Sequence, residues 1–250
     1  HVAILYDNPN SLTRLLEVLN KDCSYNKVVH KKSIKDYLDK IDSLIDFWQT
    51  DTSHLCFGND KKYEILVRMK DTKGEIVSPY FFIDRAKKIN LYGEITKKVV
   101  QKSFEFFEGK NIEFSINLSI SDILEKDICD FLIQKICEHD VGYFLTIEIT
   151  ESEGVENIEE LVSFIKIVKN LGVKIAIDDF GTGYSNFSYL VKLQADFIKL
   201  DGSIIQDINK SLSAKAVVEA IVFFAKKVGI KTVAEFVSTK EIFKTCKELE

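Results

Sequence analysis

From position 63 onward, short runs rich in β-branched and aromatic residues alternate with longer segments in which apolar residues recur at helical spacing. The runs 63–69, 112–118, 144–149, 173–178, 197–200 and 232–235 read as strands, and 92–108, 121–139, 157–171, 213–228 and 239–248 read as helices. Ser121 and Thr239 stand where N-caps belong, and Gly172 and Gly229 stand where helices end. Alternation in this order builds parallel sheet from βα units.

Side chains within the strands decide between an open sheet and a closed one. In 112–118, Ile112, Phe114, Ile116 and Leu118 share one face and Glu113, Ser115 and Asn117 the other. Leu145, Ile147 and Ile149 likewise oppose Thr146 and Glu148; Ile65, Val67 and Met69 oppose Glu64 and Arg68; Ile198 and Leu200 oppose Lys199 and Asp201. An open sheet covered by helices on both sides would be apolar on both faces. A polar face whose functional groups lie toward the C-terminal strand ends fits an α/β protein of the (βα)8 TIM-barrel type. Six strands are patterned where a barrel closes with eight. The stretch 47–57 is the candidate for a first strand. The eighth is expected beyond Glu250, which leaves the barrel incomplete at the C-terminus. Residues 1–32 fit neither role: 1–6 reads as a strand, 11–19 as a helix and 27–32 as a basic stretch. They are read as an N-terminal appendage or the tail of a preceding domain, with 33–250 as the barrel domain.

Composition narrows the function classes. The 250 residues are 46% hydrophobic with 2 prolines, which excludes a disordered or collagenous chain. A net charge of −5 with cations scattered among acids excludes the broad basic footprint of a nucleic-acid polymer binder, yet a small anion needs only a few local cations. No apolar segment reaches the roughly 20 residues of a membrane span. The 5 cysteines show no C-x-x-C spacing, so reduced thiols and a cytoplasmic setting are expected, either of this chain alone or as the cytoplasmic part of a larger membrane-attached protein.

Glu64, Asn117, Glu148, Asp178, Asp179 and Glu235 form an oxygen-rich set without His or Cys, placed at predicted strand ends. Such donors suit the hard cations Mg2+ or Mn2+. Converging carboxylates cannot all stay ionised without cations between them, and the adjacent Asp178 and Asp179 suit the bridging of two ions in phosphoryl displacement. Arg68, Lys199 and the backbone of Gly181-Thr182-Gly183 can hold phosphate oxygens.

The runs Glu64-Ile65-Leu66-Val67-Arg68, Ile116-Asn117-Leu118-Ser119, Glu148-Ile149-Thr150-Glu151-Ser152, Asp178-Asp179-Phe180-Gly181-Thr182-Gly183-Tyr184-Ser185, Ile198-Lys199-Leu200-Asp201 and Val233-Ala234-Glu235 follow one another over about residues 60–238. In order and spacing the chain resembles the EAL-domain family of cyclic di-GMP phosphodiesterases. The long run from Asp178 is the most specific part.

The resemblance implies hydrolysis of cyclic di-GMP to linear pGpG with two divalent ions, Mg2+ or Mn2+. Glu64, Asn117, Glu148 and Asp178 would hold the first ion, and Asp178, Asp179 and Glu235 the second. Lys199 would orient the attacking water, and Glu235 stands in such enzymes either as a ligand or as a general base. Leu66, Arg68 and Asp201 would contact substrate, and Glu151 would anchor the loop after Asp179. A homodimer and an upstream sensory or GGDEF domain are the implied partners. The alternative is a degenerate domain that binds cyclic di-GMP, or a partner protein, without turnover.

The chain departs from the family's pattern in three places, of which the first two favour that alternative. Phe236 and Ser238 stand where the family has Gly and Glu, Gln49-Thr50 replaces a Gln-Pro-Ile motif, and the family's Gln-Gly motif would fall past Glu250.

Overall fold

The computed structural model describes residues 2–6, 45–49, 62–70, 76–77, 79–150, 158–181 and 187–249. The chain divides into two compact units, 1–114 and 115–250. In the first, strand β1 (Val2–Tyr6) pairs antiparallel with β2 (Ile45–Gln49) and parallel with β3 (Lys62–Lys70). The two-residue β4 (Ile76–Val77) folds back antiparallel on the end of β3. Thus 2–6 is a strand, as the pattern suggests. The first-strand candidate 47–57 overlaps β2 at 47–49, and its remainder, like 11–19 and 27–32, lies outside the described residues.

Helices α1 (Pro79–Lys88) and α2 (Tyr92–Phe107) follow. Pro79 opens α1, where its missing N–H costs nothing and its fixed φ suits a helix. Aromatic residues build this unit's core: Phe107 stacks on Phe114 at 4.2 Å between ring centroids, and Phe104 meets Phe114 edge-on at 5.9 Å.

Strand β5 (Glu113–Leu118) begins in the first unit and continues into the second, which carries the strand order β5, β6 (Leu145–Thr150), β7 (Lys174–Phe180), β8 (Phe197–Leu200), β9 (Lys231–Ala234). From β6 to β9 each neighbouring pair is parallel. Six of these strands, β3 and β5 to β9, are those the alternating pattern picks out, displaced by two residues at most. The intervening helices are α3 (Ile120–Leu124), α4 (Lys126–His139), α5 (Ile158–Asn170), α6 (Phe187–Leu193), α7 (Gly202–Gln206), α8 (Leu212–Val228) and α9 (Lys240–Leu249).

Caps explain most of the boundaries. Gly229 ends α8 at φ +77, and Thr239 Oγ1 accepts the Ile242 N–H at the start of α9. The expected single helix 121–139 is two helices, and its cap is Ser119 rather than Ser121. Ser119 Oγ accepts the Asp122 N–H at 3.2 Å, and Asp122 Oδ2 accepts the Ser119 N–H at 3.1 Å, a reciprocal capping box. Glu125 then turns extended (φ −81, ψ 105), which separates α3 from α4. At the opposite ends of the strands Asp196 accepts from Lys169 Nζ and from the Ile175 N–H, both at 2.8 Å, tying α5 to β7.

Candidate active site

Three neighbouring strands deliver the charged groups. Leu145, Ile147 and Ile149 of β6 are fully buried on one face, so the strand's alternation sends Glu148 to the other. Ile175 and Ile177 fix β7 in the same way and turn Asp178 inward, and Ile198 and Leu200 do so for Lys199 on β8. Glu235 follows β9 and is held to β8 by its N–H, which donates to the Leu200 carbonyl at 3.1 Å.

Strict alternation would put Asp178 and Asp179 on opposite faces. It is broken here. Ile177 pairs with Ile198 and Phe180 with Leu200, so Asp178 and Asp179 together oppose the single residue Lys199. This is a β-bulge, with the extra residue Asp179 in the left-handed region at φ +55. The conformation is one that Asp tolerates better than most residues. The bulge re-aims the second carboxylate, and Asp178, Asp179 and Glu235 each place an oxygen within 4.8 Å of the others.

Lys199 Nζ sits among three carboxylates, 2.7 Å from Glu148 Oε2, 2.9 Å from Asp178 Oδ1 and 2.9 Å from Glu235 Oε1. The Lys199 and Glu148 side chains are only 9% and 7% exposed. Asp179 adds a carboxylate beside Asp178 and Glu235, so among the described residues acidic groups outnumber the one lysine paired with them here. Such a surplus at low exposure calls for further cations. Asp178 Oδ1 is buried and, apart from its ion pair with Lys199, accepts no hydrogen bond. An all-oxygen donor set with a buried carboxylate oxygen that accepts no hydrogen bond fits a hard divalent ion. Asp178, Asp179 and Glu235 would hold it.

Of the other residues singled out by sequence, Asn117 is exposed near the end of β5. Asp201 caps α7, accepting the Ser203 N–H at 2.8 Å. Glu64, Leu66 and Arg68 share one face of β3 in the first unit, where the Arg68 Nη1 donates to the Val67 carbonyl at 2.9 Å. Glu151 and Thr182, Gly183, Tyr184 and Ser185 lie outside the described residues. The pattern of the sequence gives no sign of one further feature, a Phe236 ring lying against Gly202.

The model of the EAL domain matches residues 52–250. The chain belongs to the EAL domain family. Among curated EAL relatives, it is 34% identical to the cyclic di-GMP phosphodiesterase PdeA of Borreliella burgdorferi over 76% of this chain and 29% of that protein. It is 29% identical to the cyclic di-GMP phosphodiesterase PdeB of Shewanella oneidensis over 73% of this chain and 22% of that protein. The EAL chain therefore spans less than a third of the length of these relatives. Among solved structures it is similar to the PaMucR phosphodiesterase in its c-di-GMP complex, with a TM-score of 0.69 and 26% identity over 76% of this chain and 79% of that one. The FimX EAL domain from Pseudomonas aeruginosa, bound to c-di-GMP, shares the fold with a TM-score of 0.71 at 21% identity, covering 77% of this chain and 79% of that one. The fold class is the α/β TIM-barrel type of the EAL domains, and EAL phosphodiesterases depend on divalent metal.

Proposed function

We propose that this EAL domain hydrolyses cyclic di-GMP to linear pGpG. The observation that supports the reading is the bulge at Asp178 and Asp179, which brings an oxygen of each near Glu235, with Asp178 and Glu235 paired to the buried Lys199.

In the proposed reaction the oxygen of water bonds to the phosphorus of one phosphodiester, the P–O3′ bond breaks, and the released 3′ oxygen takes up a proton. The divalent ions, when bound, supply charge compensation at the phosphate. Lys199, a donor with no acceptor capacity, orients the lone pairs of the incoming water by turning one N–H from its carboxylate partners. Glu235, tethered to β8 by its backbone and in ion-pair contact with Lys199, stands where a general base or an ion ligand is needed. Glu148 holds the ammonium in place at 2.7 Å. Leu66, Arg68 and Asp201 are proposed substrate contacts, Glu64, Asn117 and Glu148 further ion ligands, and Glu151 the anchor of the loop after Asp179. Mg2+ or Mn2+, a homodimer, a cytoplasmic setting and an attached sensory or GGDEF domain belong to the same proposal. Among the described residues no helix is long and apolar enough to cross a membrane.

Incubation with cyclic di-GMP and Mn2+, followed by chromatography, should yield pGpG, and Asp178→Asn should abolish it. A second reading, a receptor that binds without turnover, is favoured by the bulky Phe236 next to Glu235. Saturable binding of cyclic di-GMP with no pGpG under any divalent ion would select that reading.

A further inference from the structure

We propose that Phe236 is a stacking platform for a purine base of the bound nucleotide. The inference rests on the reading of this site as one that binds cyclic di-GMP, and it concerns a position where this chain departs from its family.

Two independent observations carry it. Phe236 adopts φ +50, a left-handed conformation that a bulky aromatic residue rarely takes. Such strain persists where something repays it. Burial does not, because Phe236 is 68% exposed.

The second observation is Gly202. A Cβ built there would stand 2.4 Å from the Phe236 Cδ2, 2.8 Å from Cγ and 2.9 Å from Cβ. Gly202 is not among the glycines with positive φ, and it opens helix α7, where glycine is a poor helix former. The glycine is therefore needed for space rather than for conformation. It leaves room for the Phe236 ring to lie against the chain, which fixes one side of the ring and leaves the rest open.

The position sets the ligand class. Phe236 directly follows Glu235, whose carboxylate is 2.9 Å from Lys199 Nζ, and Gly202 directly follows Asp201 at the end of β8. The plate thus stands between the C-terminal ends of two strands, next to the residues proposed to engage the phosphodiester. An exposed aromatic ring seated against Gly202 beside a phosphate site suits a planar heterocycle, since bases stack on aromatic side chains without need of hydrogen-bond readout. An aliphatic side chain of equal volume would lack the flat polarizable surface.

The test is equilibrium binding of the bis-phosphorothioate analogue of cyclic di-GMP, which resists turnover, with melting curves recorded on the same samples. F236L and F236G should weaken binding roughly 5- to 150-fold, and F236Y should bind as the wild type does. G202A, which pushes the ring from its seat, should weaken binding as well, and adding F236G to it should cost little more. The melting temperature of F236G should hold or rise, because glycine relieves the left-handed strain. F236L that matches the wild type, or F236G that binds more tightly, overturns the platform. A fall in melting temperature with unchanged affinity makes Phe236 a packing residue and overturns it too. Wild-type protein that binds none of the analogue overturns the functional reading itself, and the platform with it.

Discussion

Replacing Lys199 by methionine keeps the stem of the side chain and removes its charge, leaving Glu148, Asp178 and Glu235 facing one another without their shared cation. Removing one partner of a buried ion pair costs about 3–5 kcal/mol, because the remaining charge is left uncompensated. Here Glu235 is 19% exposed and Asp178 12%, so water screens part of the repulsion and the lower end applies. In a domain of this size about 3 kcal/mol corresponds to a fall in melting temperature of roughly 6–12 °C. Melting should be followed by circular dichroism in EDTA and again with saturating Mn2+. A divalent ion that binds only the folded state adds about 2.7 kcal/mol at a hundredfold excess over its dissociation constant. Without the competing ammonium the variant's carboxylates should bind the ion more tightly than the wild type's, so the Lys199→Met deficit should be large in EDTA and shrink in Mn2+. Equal melting temperatures of variant and wild type in EDTA would refute the reasoning that Lys199 neutralises the cluster.

Other expectations follow from local geometry. Gly142→Ala places a Cβ 1.9 Å from the Leu171 carbonyl oxygen, a backbone atom that cannot swing aside, so it should destabilise by about 3 kcal/mol in urea melts. Asp122→Ala removes half of the capping box and orphans the buried Ser119 N–H, a loss of about 1–2 kcal/mol measurable in the same melts. Burial, and then the neighbouring Asp130, push the Cys129 thiol above its ordinary pKa, and burial does the same for Cys246. Less of either is thiolate near neutral pH, so iodoacetamide followed by mass mapping should find the exposed Cys137 modified before both, with the gap narrowing as pH rises.

Much of this fold can be read along the chain because strand alternation and helix caps are local properties. Ile147 and Glu148 must lie on opposite faces of any strand that contains them, and Gly229 can end a helix in the left-handed region wherever that helix lies. Patterning therefore places β3 and β5 to β9 and brings Glu148, Asp178 and Lys199 to one kind of surface. It misplaces the cap at Ser121 because two serines within reach of the same helix start compete, and only the reciprocal bond to Asp122 decides for Ser119. It also misses α6 and α7, which are too short to show a helical period, and α1, whose buried face is marked by Phe82 and Ala86 alone.

What the sequence by itself determined was the alternation of strand and helix, the polar face and the oxygen donors upon it. Only tertiary structure decided how those donors meet. Period-two geometry places adjacent residues on opposite faces, so the convergence of Asp178 and Asp179 requires the bulge, which exists only in the register of β7 against β8. The partners of Lys199 come from β6, β7 and the end of β9, and its pairing with them rather than with the nearby Asp201 follows from strand order and inward orientation. The seat that Gly202 provides for Phe236 joins two strand ends 34 positions apart, a relation no local pattern encodes.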